Sequence, residues 1–198
     1  MRKLLTLMAM LALAAFSAFS AGCGGSGGTS APASQKTGPS FSPEAGNWSY
    51  APKALELTFT ADPFLNEYDG AAHALDVCVY QLANPAAFQG LAASPTGVSS
   101  LLECREFDPG VVGVQRVKVQ PGSSETLRLD RAENARYVAV ACGYYDQNQG
   151  RATRLYEIPL NANTSGWFWW KETSYEAGKL ARKILLGKTG IVDGGDGS

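Results

Sequence analysis

"ALELTFT", Ala54 to Thr60, is the stretch on which the fold turns. Leu55, Leu57 and Phe59 alternate with Glu56, Thr58 and Thr60. Successive side chains of an extended chain point to opposite faces, so this segment buries one face and wets the other. It reads as a half-buried strand, and the chain downstream repeats the theme. "LDVCVYQL" (Leu75 to Leu82) is a second strand, more fully buried. "VQRVKVQ" alternates with Val117 and Val119 inward, and "ETLRLD" alternates around Leu127 and Leu129, with the turn "PGSS" between them. "ARYVAVACGYYD" (135–146) reads as a long central strand, "RATRLYEIPL" (151–160) as its partner after "DQNQG", and "GWFWWKE" (166–172) as another strand. Two short helices interrupt the series. "NPAAFQGLA" places Pro85 in a first helical turn after Asn84 as cap, and "GVSSLLE" (97–103) follows.

The segment "KLARKILLGKTGIV" (179–192) fits either period. As a helix it aligns Leu180, Ile184 and Lys188; as a strand it puts Leu180, Arg182, Ile184 and Leu186 on one face. With roughly seven or eight short strands separated by turns, the chain is expected to be all-β, an antiparallel β-sandwich with a short helical insertion. The expected domains are residues 1–22, a signal peptide; 23–50, a lipidated cysteine and flexible linker; 51–192, the sandwich; and 193–198, "DGGDGS" with Val192's neighbour Asp193, a disordered tail.

The front of the chain explains that division. Arg2 and Lys3 precede Leu4 to Phe19, apolar but for Thr6 and Ser17. That is a secretory h-region, too short to span a bilayer. Ser20-Ala21-Gly22 then leads into Cys23. The arrangement resembles the bacterial lipobox, with Ser20 where leucine is usual. It implies cleavage before Cys23 and acyl chains on it, and several chains anchor firmly where one binds marginally. Gly24, in place of aspartate, suggests the outer membrane. Residues 24–50 are rich in Gly, Ser, Ala, Pro and Thr, and as a coil would span on the order of 30 Å.

Charge and chemistry exclude much. Seventeen Lys and Arg against eighteen Asp and Glu give −1, and loss of Arg2 and Lys3 gives −3. No nucleic-acid partner is suggested. "GKTG" (187–190) lacks the glycine a phosphate loop needs five residues earlier, where Arg182 stands, so it reads as a hairpin turn. His73 is the only histidine, no GxSxG occurs, and it reads as a solvent-exposed loop residue. No catalytic group, metal site or cofactor is indicated. Beyond Cys23, three cysteines remain; Cys142 reads as a small core residue and Cys104 lies in a connection. An oxidising compartment makes one disulfide plausible; Cys78–Cys104 is favoured, and the other pairings stay open.

Two stretches suggest surfaces. In a strand, "GWFWW" points Trp167 and Trp169 one way and Phe168 and Trp170 the other, and a single sandwich core receives only one face. The other face is an interface or is covered by loops. "ADPFLNEYDGAAHA" (61–74) is a long connection between the first two strands, the kind that commonly carries function. Phe64, Leu65 and Tyr68 would be its anchors, unless they fold back on the sheet.

Taken in order, "FLN", "VCVYQL", "FQGL", "VQPGSSETLRL", "YVAVACGYYD" and "LLGKTGI" resemble the TssJ/VasD-type outer-membrane lipoproteins of the type VI secretion system, from about Ala54 to Ile191. The tryptophan-rich "WFWW" and the Cys78/Cys104 pair lie outside the usual pattern. The resemblance implies a transthyretin-like sandwich without enzymatic activity. It also implies a place in a TssJ-TssL-TssM complex, holding the periplasmic domain of the inner-membrane TssM protein against the outer membrane. By position, the partner-binding loop is Phe64, Leu65, Asn66, Glu67, Tyr68, Asp69 and Gly70, although Asn66 has an alternative role in shaping the turn. A different class of function, a lipid-anchored periplasmic binding protein for a small ligand or peptide, fits the same sandwich.

Overall fold

The computed structural model describes residues 46–146, 151–167 and 169–192. The signal peptide, Cys23, most of the linker, Phe168 and the tail 193–198 lie outside the described residues. In chain order the elements are β1 (Ala51–Ala61), β2 (Leu75–Leu82), α1 (Ala86–Ala92), α2 (Pro95–Leu101), β3 (Val111–Val119), β4 (Ser124–Arg131), β5 (Tyr137–Cys142), β6 (Thr153–Glu157), β7 (Leu160–Ser165), β8 (Glu172–Ala177), β9 (Leu180–Leu186) and β10 (Ile191–Val192).

One sheet has the order β10-β9-β1-β4 and a second the order β3-β2-β5-β6, while β7 and β8 form a separate two-stranded ribbon. The alternation in β1 does what it promised. Leu55, Leu57 and Phe59 enter a core shared with Val77 and Val79 of β2, Val138 and Val140 of β5, and Leu180, Ile184 and Leu186 of β9. Both sheets feed one core, which makes a two-layer β-sandwich. Full burial of each such side chain contributes about 1.5–3 kcal/mol. On the opposite face of β1, Glu56 pairs with Arg128 and Thr58 meets Thr126 in register.

The second sheet is covered on both sides, which is why β2 reads as an unbroken apolar run. Cys78, Tyr80 and Leu82 point away from the first sheet into a smaller cluster with Phe88 of α1 and Leu101 of α2. Tyr80 Oη donates to the Leu101 carbonyl, and burial pushes its pKa up to about 12. Cys78 is bonded to Cys104, which fastens the segment after α2 to the sheet. Gln81 joins the layers: its Nε2 donates to Asp130 O at 2.9 Å and its Oε1 accepts from Ala132 N–H at 2.7 Å. Cys142 is a buried free thiol.

The structure corrects three expectations and decides one that periodicity left open. The sandwich is not wholly antiparallel, because β9 runs parallel to β1 from Leu55↔Leu180 to Ala61↔Leu186. Alternation specifies which face is buried and carries no information about strand direction. The segment 179–186 is a strand, β9, with Arg182 on the core-facing side placing its guanidinium 5.9 Å from the Tyr156 ring. Of "GWFWWKE" only Glu172 is in a strand, where it opens β8; Gly166, Trp167, Trp169, Trp170 and Lys171 belong to the connection between β7 and β8, Gly166 at φ +129°. Aromatic β-propensity suggested pairing where none occurs, and polar "NANTS" and "ETS" pair instead. Finally, the end of the expected linker is docked. Trp48 is 5% exposed in the core, its carbonyl accepting from Asn134 N–H at 2.7 Å.

Candidate partner-docking loop

The connection from β1 to β2 is anchored at its first residue. Asp62 N–H donates to Leu186 O at 2.8 Å, and Asp62 O accepts from Gly122 and Leu65 N–H groups. The Asp62 carboxylate accepts from Phe64 N–H at 2.7 Å, an Asx turn that aspartate forms readily. Leu65 then drops into the main core, fully buried, and its carbonyl accepts from His73 N–H at 3.0 Å, which closes the base.

Beyond that base the loop is held from its flanks. Asn66 sits at φ +50°, a conformation asparagine tolerates better than most residues, and is 4% exposed. Its Oδ1 accepts from Tyr145 N–H at 2.9 Å, tying the loop to the end of β5. Glu67 N–H donates to Lys188 O at 3.2 Å, and their side chains form an ion pair. Tyr68 and Ala71 exchange N–H···O bonds of 3.0 and 3.1 Å around Asp69 (φ +51°) and Gly70 (φ +75°). Two consecutive left-handed residues reading Asp-Gly are the signature of a type I′ turn.

The outer surface is aromatic. Phe64, Tyr68 and Tyr145 are 61%, 59% and 57% exposed. The Tyr68 and Tyr145 rings stack with centroids 4.7 Å apart, and His73 meets Tyr145 edge-on at 5.2 Å. His73 is thus half-buried under Tyr145, not the free loop histidine that its sequence context suggested.

Of the seven residues assigned to this loop from sequence, Phe64, Tyr68, Asp69 and Gly70 face solvent. Leu65 and Asn66 do not; they shape the loop from within. Sequence reasoning overlooked Tyr145 and Lys188. The first had a signal: in "GYYD" after a buried strand, one tyrosine turns in and the next turns out, and Tyr144 is 2% exposed. Burial raises the pKa of the Tyr144 hydroxyl, leaving it neutral. Lys188 lay in "GKTG", whose Gly187 N–H donates to Gly190 O at 2.9 Å in the hairpin turn expected there. Nothing local announced that this turn would brace a loop more than a hundred residues away.

The chain matches the family model described as type VI secretion lipoprotein, VasD, EvfM, TssJ, over residues 53–187. Solved structures share its fold. The Serratia marcescens Lip, described as a membrane-bound component of the type VI secretion system, is 17% identical with a TM-score of 0.52, over 75% of this chain and 98% of that one. The lipoprotein TssJ1 of Pseudomonas aeruginosa is 19% identical with a TM-score of 0.50, over 71% and 95%. A structure described as the T6SS protein TssM C-terminal domain (869-1107) from EAEC is 17% identical with a TM-score of 0.52, over 70% and 94%. No curated protein matches the chain in sequence.

Proposed function

The chain belongs to the type VI secretion lipoprotein family, and from that premise we propose that it is a non-catalytic assembly lipoprotein of the outer membrane. Acyl chains on Cys23 hold it at the periplasmic face. The β1–β2 loop grips the periplasmic domain of the inner-membrane TssM protein, within a TssJ-TssL-TssM complex.

The observation that carries this reading is the build of the loop. Phe64 and Tyr68 are large rings left in water on a backbone fixed by hydrogen bonds at Asp62, Asn66, Glu67 and Ala71. A pre-shaped aromatic surface loses little conformational freedom on binding, so more of its contact energy appears as affinity. Tethering through Cys23 raises the local concentration of such a loop near a partner that spans the periplasm. The space between the sheets is filled by Leu55, Leu57, Phe59, Val79 and Val140, each at most 1% exposed, which leaves no room there for a small ligand.

The test is titration of the mature Cys23→Ser chain into the TssM periplasmic domain. The chain must keep Trp48, which a cut at residue 51 would remove from the core. Phe64→Asp and Tyr68→Asp are expected to abolish binding while leaving the fold intact. Tight binding of a small ligand or peptide, with TssM ignored, would favour the binding-protein reading instead. Separately, Cys23→Ser should move the protein from the membrane to the soluble fraction; retention on the membrane would place the anchor elsewhere.

A further inference from the structure

The β7–β8 ribbon takes no part in the docking loop. Its strands are polar and exposed on both sides: Asn161 to Ser165 outbound, Glu172 to Ser174 returning. Yet at its end Trp167, Trp169 and Trp170 are 87%, 84% and 83% exposed. A hydrophilic stalk that ends in three indoles presents a concentrated apolar surface, and such surfaces are sites of contact.

The direction of the incoming chain indicates what they contact. Asn47 bridges Glu176 in parallel, with Asn47 N–H donating to Tyr175 O at 3.0 Å. Since β8 runs from the tryptophans back toward the sandwich, a segment parallel to it also runs away from them. The first described residue, Gly46, therefore lies on the tryptophan side of Asn47, and Cys23 precedes it in the chain. Arg131 locks this arrangement: its Nη1 donates to Ala177 O at 3.0 Å and Gly178 O at 3.2 Å, and its Nη2 to Ser49 O at 2.8 Å. Only residues 24–45 separate Cys23 from the docked segment, and a coil of that length spans on the order of 25 Å. The six-residue ribbon strands reach about 20 Å. The ribbon base meets the start of β1, whereas the docking loop leaves its end, about 33 Å further along the strand.

We propose that the tryptophan end of the β7–β8 ribbon is a membrane foot, its indoles seated among the headgroups of the bilayer that carries the acyl chains of Cys23. This rests on the lipoprotein reading. Indole rings favour the membrane–water interface because one edge is apolar and the N–H still finds water or headgroup oxygen. The exposed Lys171 beside them suits lipid phosphate. Lipid and foot together attach the domain at two points and hold the docking loop at the far end of β1, away from the bilayer.

The test couples the mature chain through Cys23 to maleimide-bearing phosphatidylethanolamine in vesicles of phosphatidylethanolamine and phosphatidylglycerol. Cys78 and Cys104 are bonded and Cys142 is buried, which leaves Cys23 for the coupling. Three of the four tryptophans are at the foot. Brominated acyl chains should therefore quench most of the emission and shift the remainder to that of buried Trp48, and this quenching should vanish in W167S/W169S/W170S. The inference is overturned if the three indoles stay open to aqueous iodide and untouched by brominated lipid. It is equally overturned if the soluble TssM domain, and not lipid, shields them. Chemical coupling makes the result independent of lipidation in the cell, whose failure would appear only in the Cys23→Ser fractionation.

Discussion

The β1–β2 loop and the β7–β8 ribbon both hold aromatic rings in water, and they are built in opposite ways. In the loop, Leu65 and Asn66 are sunk into the body, Asn66 and Glu67 bond to the residues at Tyr145 and Lys188, and Tyr68 stacks on Tyr145. The tryptophans of the ribbon stand at the end of two polar strands whose ties to the sandwich are gathered at the base, around Asn47 and Arg131. A surface fixed from several sides suits one partner of fixed shape. A surface on a slender stalk suits a fluid one, where position along the normal matters and orientation matters less.

Substitutions sharpen this contrast in descending order of effect. Leu65→Asp puts a carboxylate at a fully buried site and should cost on the order of 4 kcal/mol or prevent folding, read by urea denaturation. Any loss of partner binding in that variant reports stability and not contact. Asn66→Ala removes the acceptor for Tyr145 N–H and forces alanine to φ +50°, for about 2 kcal/mol; Asn66→Gly should recover the backbone share, roughly half. Tyr145→Ala removes the stacked support of Tyr68, lowering stability by about 1 kcal/mol and partner affinity by about tenfold in titration. W167S/W169S/W170S should leave urea stability within about 0.5 kcal/mol of the parent, because those side chains are exposed. A larger loss there would mean that the ribbon is packed on something and the contrast is false.

Much of the sandwich was legible because burial on one face writes period two into Leu55-Leu57-Phe59, and burial on both faces writes the unbroken run of β2. Strand direction was not legible, so the parallel β1–β9 pairing came only with the structure. The ribbon was missed because its strands lack a buried face, and a polar strand has no hydrophobic signature to find. For the docking loop, "FLNEYDG" showed the rings and a turn-shaping role for Asn66, but the sorting of Leu65 and Asn66 inward depends on Tyr145, Lys188 and Leu186, which are remote in sequence.

Hydrogen exchange of the mature chain with and without the TssM periplasmic domain addresses the docking loop without altering a residue. The account predicts slowed exchange at the amides of residues 64–71 and at Tyr145, with residues 166–171 unchanged. Slowed exchange confined to the ribbon, with the loop amides unaffected, would contradict it.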